Sequence, residues 1–123
     1  MVRREWAAIC ALSTALAMAG GAQAHAFLER AMPRVGARIA ASPPEVRMWF
    51  SEALVGAFSR ATITGPADAP LAEPAARLDR GDHRQLILPI AGRLAPGPYR
   101  VQWRVVSIDS HVTQGDFTFV VKP

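Results

Sequence analysis

Between residues 25 and 123, apolar and polar side chains alternate in several short windows that proline and glycine separate. A period of two is typical of strands that bury one face, and no window keeps the spacing that an amphipathic helix needs. The strands expected from this alternation lie at 46–51, 61–64, 86–90, 99–107 and 117–122. Residues 65–76, rich in proline and alanine, show no period and are interpreted as a loop or irregular crossing segment.

The clearest strand, 99–107, places Tyr99, Val101, Trp103 and Val105 on one face. It follows the turn sequence Pro96-Gly97-Pro98, and a tyrosine in this position resembles a tyrosine corner, whose hydroxyl bonds to nearby backbone. We expect antiparallel pairing with 117–122. The pattern as a whole predicts an all-β fold, an immunoglobulin-like or cupredoxin-like Greek-key β-sandwich of about seven strands.

The first 24 residues carry the three parts of a cleavable signal peptide. Arg3 and Arg4 precede an apolar run at 6–18, and Ala22-Gln23-Ala24 is a small-x-small cleavage site. The run is shorter than the ~20 residues of a membrane-spanning helix, so cleavage after Ala24 is expected rather than a retained anchor. Export by the general or the twin-arginine route stays open. The only cysteine, Cys10, would leave with this segment, so the exported domain 25–123 is expected without a disulfide.

Charge argues against a nucleic-acid partner. Lysine and arginine number 14 against 10 acidic residues, a formal net charge of +4, and beyond residue 24 the arginines are spread singly. Nucleic-acid binding usually needs a clustered basic face with a readout element. We expect one small monomeric domain without a nucleic-acid partner.

Cleavage after Ala24 would make His25 the first residue of the exported chain. Its α-amine and imidazole could then chelate one cation. A second group lies at the end of strand 99–107, where Ser107, Asp109 and His111 share the parity of the buried residues and should face one way if the strand stays extended. Taken separately, Asp-x-His is a common surface pair, but the terminal histidine makes a metal site the favoured interpretation.

The third histidine is interpreted differently. His83 lies in the polar segment Arg80-Gly81-Asp82-His83-Arg84, before a predicted strand. Adjacent side chains in a turn usually diverge, so we expect an ordinary solvated loop and no metal pair at Asp82 and His83.

Motifs spread over residues 25–123 resemble the CopC family, the YobA-like periplasmic copper-binding proteins of bacteria. The matching motifs are His25-Ala26-Phe27-Leu28, Pro33-x-x-Gly36, Phe50-Ser51-Glu52, Gly97-x-Tyr99-x-Val101-x-Trp103-Arg104-Val105-Val106-Ser107-x-Asp109-x-His111 and Gly115-x-Phe117-x-Phe119. The distant terminal histidine and Ser-x-Asp-x-His element must occur together, which makes the resemblance specific.

The resemblance implies a copper(II) site, with one ion per chain, formed by the amine and imidazole of His25, the imidazole of His111 and the carboxylate of Asp109. Glu52, at the Phe-Ser-Glu position, is expected to be a weak ligand or to organise the site from outside; an ordinary exposed glutamate is the alternative. The implied function is copper resistance or homeostasis in the periplasm, without enzymatic activity. The ion would be buffered or delivered to a CopD-like inner-membrane protein.

Some family members also hold copper(I) in a methionine-rich loop, and this chain departs from that pattern. Residues 64–76 contain neither methionine nor histidine, and beyond residue 24 the only methionines are Met32 and Met48. Met48 has the inward parity of an apolar strand. Copper(I) prefers sulfur ligands, so we expect a copper(II) site only.

Two other functions remain open from the sequence. A copper-dependent oxidative enzyme could use the same terminal chelate, but such enzymes need a broad surface for a polymer. Here Trp49 is the only strand tryptophan with outward parity, and Trp103 is expected to be buried. An immunoglobulin-like interaction module without metal is the other alternative. Zinc is a possible competitor for the donor set, although copper(II) favours planar nitrogen and oxygen ligands more strongly.

Overall fold

The structure is a computed structural model that describes residues 26–71 and 74–123. Two of the predictions, the signal peptide at 1–24 and the metal ligand His25, fall outside these residues. The described residues form eight β-strands, namely Leu28–Met32 (β1), Arg38–Ile39 (β2), Glu45–Phe50 (β3), Arg60–Thr64 (β4), Arg77–Leu78 (β5), Gln85–Pro89 (β6), Gly97–Val106 (β7) and Val112–Val121 (β8).

The strands form two four-stranded sheets. The first sheet has the order β1-β3-β6-β5 and is antiparallel throughout, while the second has the order β2-β8-β7-β4. In the second sheet β7 pairs antiparallel with β8 over its whole length, as predicted, and β2 pairs with β8 in parallel. The predicted all-β sandwich is confirmed, with eight strands rather than about seven.

The core lies between the two sheets and follows the predicted alternation. Val46, Met48 and Phe50 of β3 are buried, whereas the residues between them are half-buried on the outer face. Tyr99, Val101 and Val105 of β7 face them from the second sheet. Full burial of each large apolar side chain contributes about 1.5–3 kcal/mol, so this interior stabilises the sandwich without a disulfide among the described residues.

The predicted tyrosine corner is present. The Tyr99 hydroxyl donates a hydrogen bond of 2.6 Å to the carbonyl of Ala95, four residues earlier. The Tyr99 ring stacks on Phe119 of β8, with 5.6 Å between ring centroids. This contact fixes where the chain enters β7, and therefore which residues reach the other end of that strand.

The segment predicted as a loop contains little regular structure. A short 3₁₀ helix spans Pro66–Asp68, and Thr64 forms an isolated bridge with Pro70. A second 3₁₀ helix, Gly56–Phe58, lies in the connection from the first sheet to β4. Among the described residues there is no helix long and apolar enough to cross a membrane.

Candidate metal site

Four segments meet at the end of the sandwich where β3 and β7 finish and β8 begins. Ser107 forms an isolated bridge with Leu54, and the amide of Ile108 donates to the carbonyl of Ala53. On the other side, the Thr113 hydroxyl donates a hydrogen bond of 2.8 Å to the carbonyl of Ala26. The predicted elements of the site, the Phe-Ser-Glu segment, the Ser-x-Asp-x-His segment and the residue after His25, therefore lie at one end of the molecule.

The segment 107–111 is a turn, which corrects the expectation that an extended strand aligns Ser107, Asp109 and His111. Strand β7 ends at Val106, and the Ser110 amide then donates to the Ser107 carbonyl at 2.8 Å. Ser110 has a φ of 73°, in the left-handed region that residues other than glycine, asparagine and aspartate seldom adopt. The Ser107 amide closes the turn by donating to the carbonyl of His111.

This turn brings Asp109 and His111 together by reversing the chain. Nδ1 of His111 lies 3.2 Å from Oδ2 of Asp109, and both side chains are partly exposed, at 47% and 37%. The buried Ser107 hydroxyl donates to the other carboxylate oxygen, Oδ1 of Asp109. The expected proximity of Asp109 and His111 is present, but its cause is a tight turn rather than strand parity.

Hydrogen bonding keeps the Asp109 carboxylate in its charged form. The Ser107 hydroxyl is the main cause that lowers the pKa of Asp109, and His111 lowers this pKa further through its own hydrogen bond and charge. Burial acts in the opposite direction but does not prevail. A charged carboxylate and an imidazole on one rigid turn are two donors that can reach the same divalent cation.

His25 lies outside the described residues, but the residues that follow it are firmly held. Ala26 is buried at 1% exposure, and its carbonyl accepts from Thr113, two residues after His111. Phe27 and Ser51 exchange two hydrogen bonds, one from the Phe27 amide to the Ser51 hydroxyl and one from the Ser51 amide to the Phe27 carbonyl. The described chain therefore begins next to the turn that carries Asp109 and His111. The role of Thr113 had no signal in the sequence.

Glu52 lies in the segment beside the turn and is half-buried. Its neighbour Ala53 accepts the amide of Ile108, which places the Glu52 backbone at the same end of the sandwich. Within residues 26–71 and 74–123, no three histidine, cysteine, aspartate or glutamate side chains form a group able to hold a metal. In the described part, Glu52 thus does not complete a three-ligand group with Asp109 and His111. Its role as a weak ligand or as a group that organises the site stays a prediction.

The turn at His83 uses its polar groups within the protein. Both carboxylate oxygens of Asp82 accept hydrogen bonds of 3.0 Å, from the Arg84 amide and from Nε2 of Gln85. The carbonyl of His83 accepts the Leu54 amide, and its side chain is exposed. This arrangement agrees with the interpretation of a solvated loop.

The two methionines face opposite sides of the first sheet. Met48 is fully buried in the core, while Met32 is 54% exposed and pairs with Arg47 of β3 on the outer face. Two thioethers on opposite faces of a sheet cannot share an ion. Met32 and Met48 therefore form no shared copper(I) site, and the expectation of a copper(II) site only stays a prediction.

The tryptophans were predicted with mixed success. Trp49 faces outward and packs under the Arg30 guanidinium, 4.0 Å from the ring centroid. Trp103 is only half-buried, although its ring meets Phe50 edge-on at 5.1 Å and its indole nitrogen is buried without a hydrogen-bond partner among the described residues. The Trp103 ring occupies the space above Gly115, where a Cβ would lie 2.6 Å from Cζ2.

Comparison with known proteins gives a family match over most of the chain. Residues 28–122 match the model of the CopC domain. YobA of Escherichia coli K12 is 42% identical over 99 residues, which cover 80% of each chain. Copper resistance protein C of Pseudomonas syringae pv. tomato is 38% identical over 106 residues, covering 82% of this chain and 83% of the relative.

Solved structures give the same result for the fold. CopC from Methylosinus trichosporium OB3b superposes with a TM-score of 0.75 at 34% identity and covers 80% of this chain and 95% of its own. PcoC from Escherichia coli, described as a methionine-rich copper resistance protein, superposes with a TM-score of 0.73 at 33% identity, covering 80% and 100%. Unlike that description, the present chain offers one exposed and one buried methionine in its described part.

Proposed function

Because the chain belongs to the CopC family of copper-binding resistance proteins, which are not enzymes, we propose that it is a periplasmic protein that binds one copper(II) ion. The proposed ligands are the α-amine and imidazole of His25, the imidazole of His111 and the carboxylate of Asp109. Glu52 is proposed as a weak ligand or a group that organises the site. The proposal includes cleavage after Ala24, since the amine exists only in the processed chain.

The observation that carries this proposal is the contact of 3.2 Å between Asp109 and His111, next to the anchored Ala26. Ala26 is covalently joined to His25, and its carbonyl is fixed two residues from His111 along β8. A terminus tethered at this point needs only one residue to reach the turn. The anchor therefore supports a chelate that joins the start of the exported chain to a turn far away in sequence.

The donor types favour copper(II) over other divalent cations. An amine, two imidazoles and one carboxylate supply three nitrogens and one oxygen, and copper(II) heads the divalent affinity series with such ligands. Zinc shares these donors but favours a tetrahedron. The amine and both imidazoles must be deprotonated to bind, so we expect acid to release the ion.

Buffering of copper, or its delivery to a CopD-like inner-membrane protein, is the physiological role that we propose. Asp109 and His111 lie on an exposed turn at one end of the sandwich, where another protein can reach the ion without unfolding the domain. The identity of the recipient rests on family analogy.

Copper(II) titration of the exported protein, with two histidine variants compared, tests this function. We expect His111→Ala to weaken copper(II) binding at least roughly hundredfold, since loss of a ligand should exceed the 10–100-fold cost of losing a supporting group. His83→Ala, which removes an exposed imidazole from the other Asp/His turn, should bind like the wild type. Equal affinity of His111→Ala and the wild type, or equal loss in both variants, would contradict the proposed ligand set.

A further inference from the structure

The end of the sandwich that carries the 107–111 turn exposes an unusual set of large apolar side chains. Ile108, Phe58, Phe27 and Val112 are 67%, 63%, 60% and 46% exposed. The two remaining exposed large apolar side chains of the described residues, Met32 and Val35, follow the start of β1 and lie towards the opposite end. Single exposed apolar residues are normal, but four at one end of a small domain mark an interaction surface.

Backbone contacts place these four residues together. Ile108 is the second residue of the turn, and Val112 begins β8 directly after it. Phe58 ends the 3₁₀ helix that follows Val55, whose amide donates to the carbonyl of Val106. Phe27 is held against Ser51, beyond the end of β3. We call Phe27, Phe58, Ile108 and Val112 the apolar tip. Its members belong to separate turns and strand ends rather than to the walls of one groove.

Two arginines lie directly behind the apolar tip on the outer face of the second sheet. Arg60, at the start of β4, is the cross-strand neighbour of Arg104, near the end of β7. Like charges directly opposite each other destabilise a sheet unless a counter-charge is present. Among residues 26–71 and 74–123 neither guanidinium has a carboxylate partner, whereas Arg100, farther along β7, pairs with Asp116 at 2.7 Å. A bound anion would therefore relieve the Arg60–Arg104 repulsion.

We propose that this end of the protein docks onto the surface of an anionic phospholipid bilayer. The apolar tip would enter the headgroup boundary, and Arg60 and Arg104 would bind lipid phosphates, which guanidinium groups recognise with two parallel hydrogen bonds. An apolar projection backed by arginines matches the depth profile of a bilayer surface, where apolar and anionic layers follow each other within a few ångströms. A protein partner would instead be expected to bind in a groove, and the apolar tip does not form one.

Docking in this orientation would bring the proposed copper site to the membrane that holds its proposed recipient. The interaction itself requires no copper, because neither the apolar tip nor the arginine pair includes a proposed ligand. Failure of membrane docking would thus leave copper binding intact, and failure of copper binding would leave docking intact.

Flotation of the metal-free exported protein with lipid vesicles tests the arginine contribution. We expect binding to vesicles of equal parts phosphatidylglycerol and phosphatidylcholine at low salt, and weak binding to phosphatidylcholine vesicles. Replacing both Arg60 and Arg104 by glutamine should weaken binding roughly thirtyfold, since each arginine near an anionic surface contributes about 1 kcal/mol. The matched control replaces Arg38 and Arg93, two exposed arginines towards the opposite end of the sandwich, by glutamine and should lose less than about threefold.

Tryptophan fluorescence tests insertion of the apolar tip. Ile108→Trp places a reporter on the tip, and Val35→Trp places one at a comparably exposed position near the opposite end. With the phosphatidylglycerol vesicles, the emission of the Ile108→Trp protein should shift to the blue, while that of the Val35→Trp protein should not. The proposal is overturned if the protein does not distinguish the two vesicle types, if the control arginine variant loses as much binding, or if both reporters respond alike.

Discussion

Two turns of this protein contain an aspartate and a histidine, and they use them in opposite ways. In the turn at 79–84, Asp79 and Asp82 together accept four hydrogen bonds, from Arg47, the Gly81 amide, the Arg84 amide and Gln85. In the turn at 107–111, Asp109 accepts from Ser107 and faces the imidazole of His111 at 3.2 Å. The carboxylates of the first turn bind the turn itself, Gln85 of β6 and Arg47 of β3, whereas in the second turn one carboxylate faces an imidazole.

The difference teaches that local backbone geometry, more than residue type, decides whether an aspartate and a histidine of one turn lie close together. The Asp82 carboxylate, next to His83 in the sequence, is occupied by donors of its own turn and of Gln85. Asp109 and His111 are separated by Ser110, whose left-handed conformation reverses the chain between them. A spacing of two residues across such a reversal brings both side chains to one side.

The largest effect that distinguishes the two turns should come from neutralising each aspartate. We expect Asp109→Asn to weaken copper(II) binding about 10–100-fold, because the asparagine keeps an oxygen donor but loses the negative charge, and His111 loses its orienting partner. Asp82→Asn should leave copper(II) affinity unchanged. Competition with a chromophoric chelator measures both. Equal affinities of the two variants would mean that the turns do not differ as described.

A smaller effect should come from the hydroxyl behind Asp109. Ser107→Ala removes the donor that holds the carboxylate in place, so we expect about tenfold weaker copper(II) binding. Ser42→Ala is the matched control, because the Ser42 hydroxyl accepts the Leu94 amide in another part of the fold. Both changes should lower the free energy of unfolding by about 1 kcal/mol, but only the first should alter copper binding. A loss of affinity in both would indicate a general loss of structure instead.

The smallest effect should be a change in how the unfolding free energy of the metal-free protein depends on acidic pH. Hydrogen bonds from Gln85 and from the Arg84 amide hold the pKa of Asp82 below its usual value. A lowered pKa in the folded state stabilises the protein above the ordinary carboxyl range, and this stability is lost as the pH falls through the lowered value. Asp82→Asn should therefore flatten the fall of unfolding free energy in this acidic window, measured by denaturant titration. Glu29→Gln, at an exposed position, should keep the wild-type slope; a wild-type slope in Asp82→Asn contradicts the prediction.

Strands β3, β4, β7 and β8 could be predicted because each buries alternate residues over much of its length. Strand β6 was also predicted, although three consecutive residues, Leu86 to Leu88, are buried in it. Strands β2 and β5 have two residues each, which is too short for any period to show. In β1 the register shifts between Leu28 and Arg30, so burial does not alternate there and the strand was missed. The local alternation therefore identifies strands that are long and regular. The other strands form because they pair with strands distant in the sequence.

At the candidate site, the sequence predicted that Asp109 and His111 lie close together but attributed this to the wrong cause. The argument from alternating faces required β7 to continue past Val106. Instead a turn forms there, because the amides of Ser107 and Ser110 donate to acceptors within it. The anchoring of Ala26 by Thr113 was not foreseen, since the two residues are 87 positions apart and no motif links them. Such contacts arise from the packing of the two sheets and leave no local pattern.

The most direct test of the account is copper(II) titration of the exported protein beside a variant with one additional residue before His25. The added residue turns the His25 amine into a peptide amide, whose nitrogen binds copper(II) only if it loses its proton, while the fold from Ala26 onward stays the same. A variant with one residue added after Pro123 controls for extension itself. The account predicts a large loss of affinity for the first variant and none for the second. Unchanged binding in the first variant would contradict a site built on the start of the exported chain.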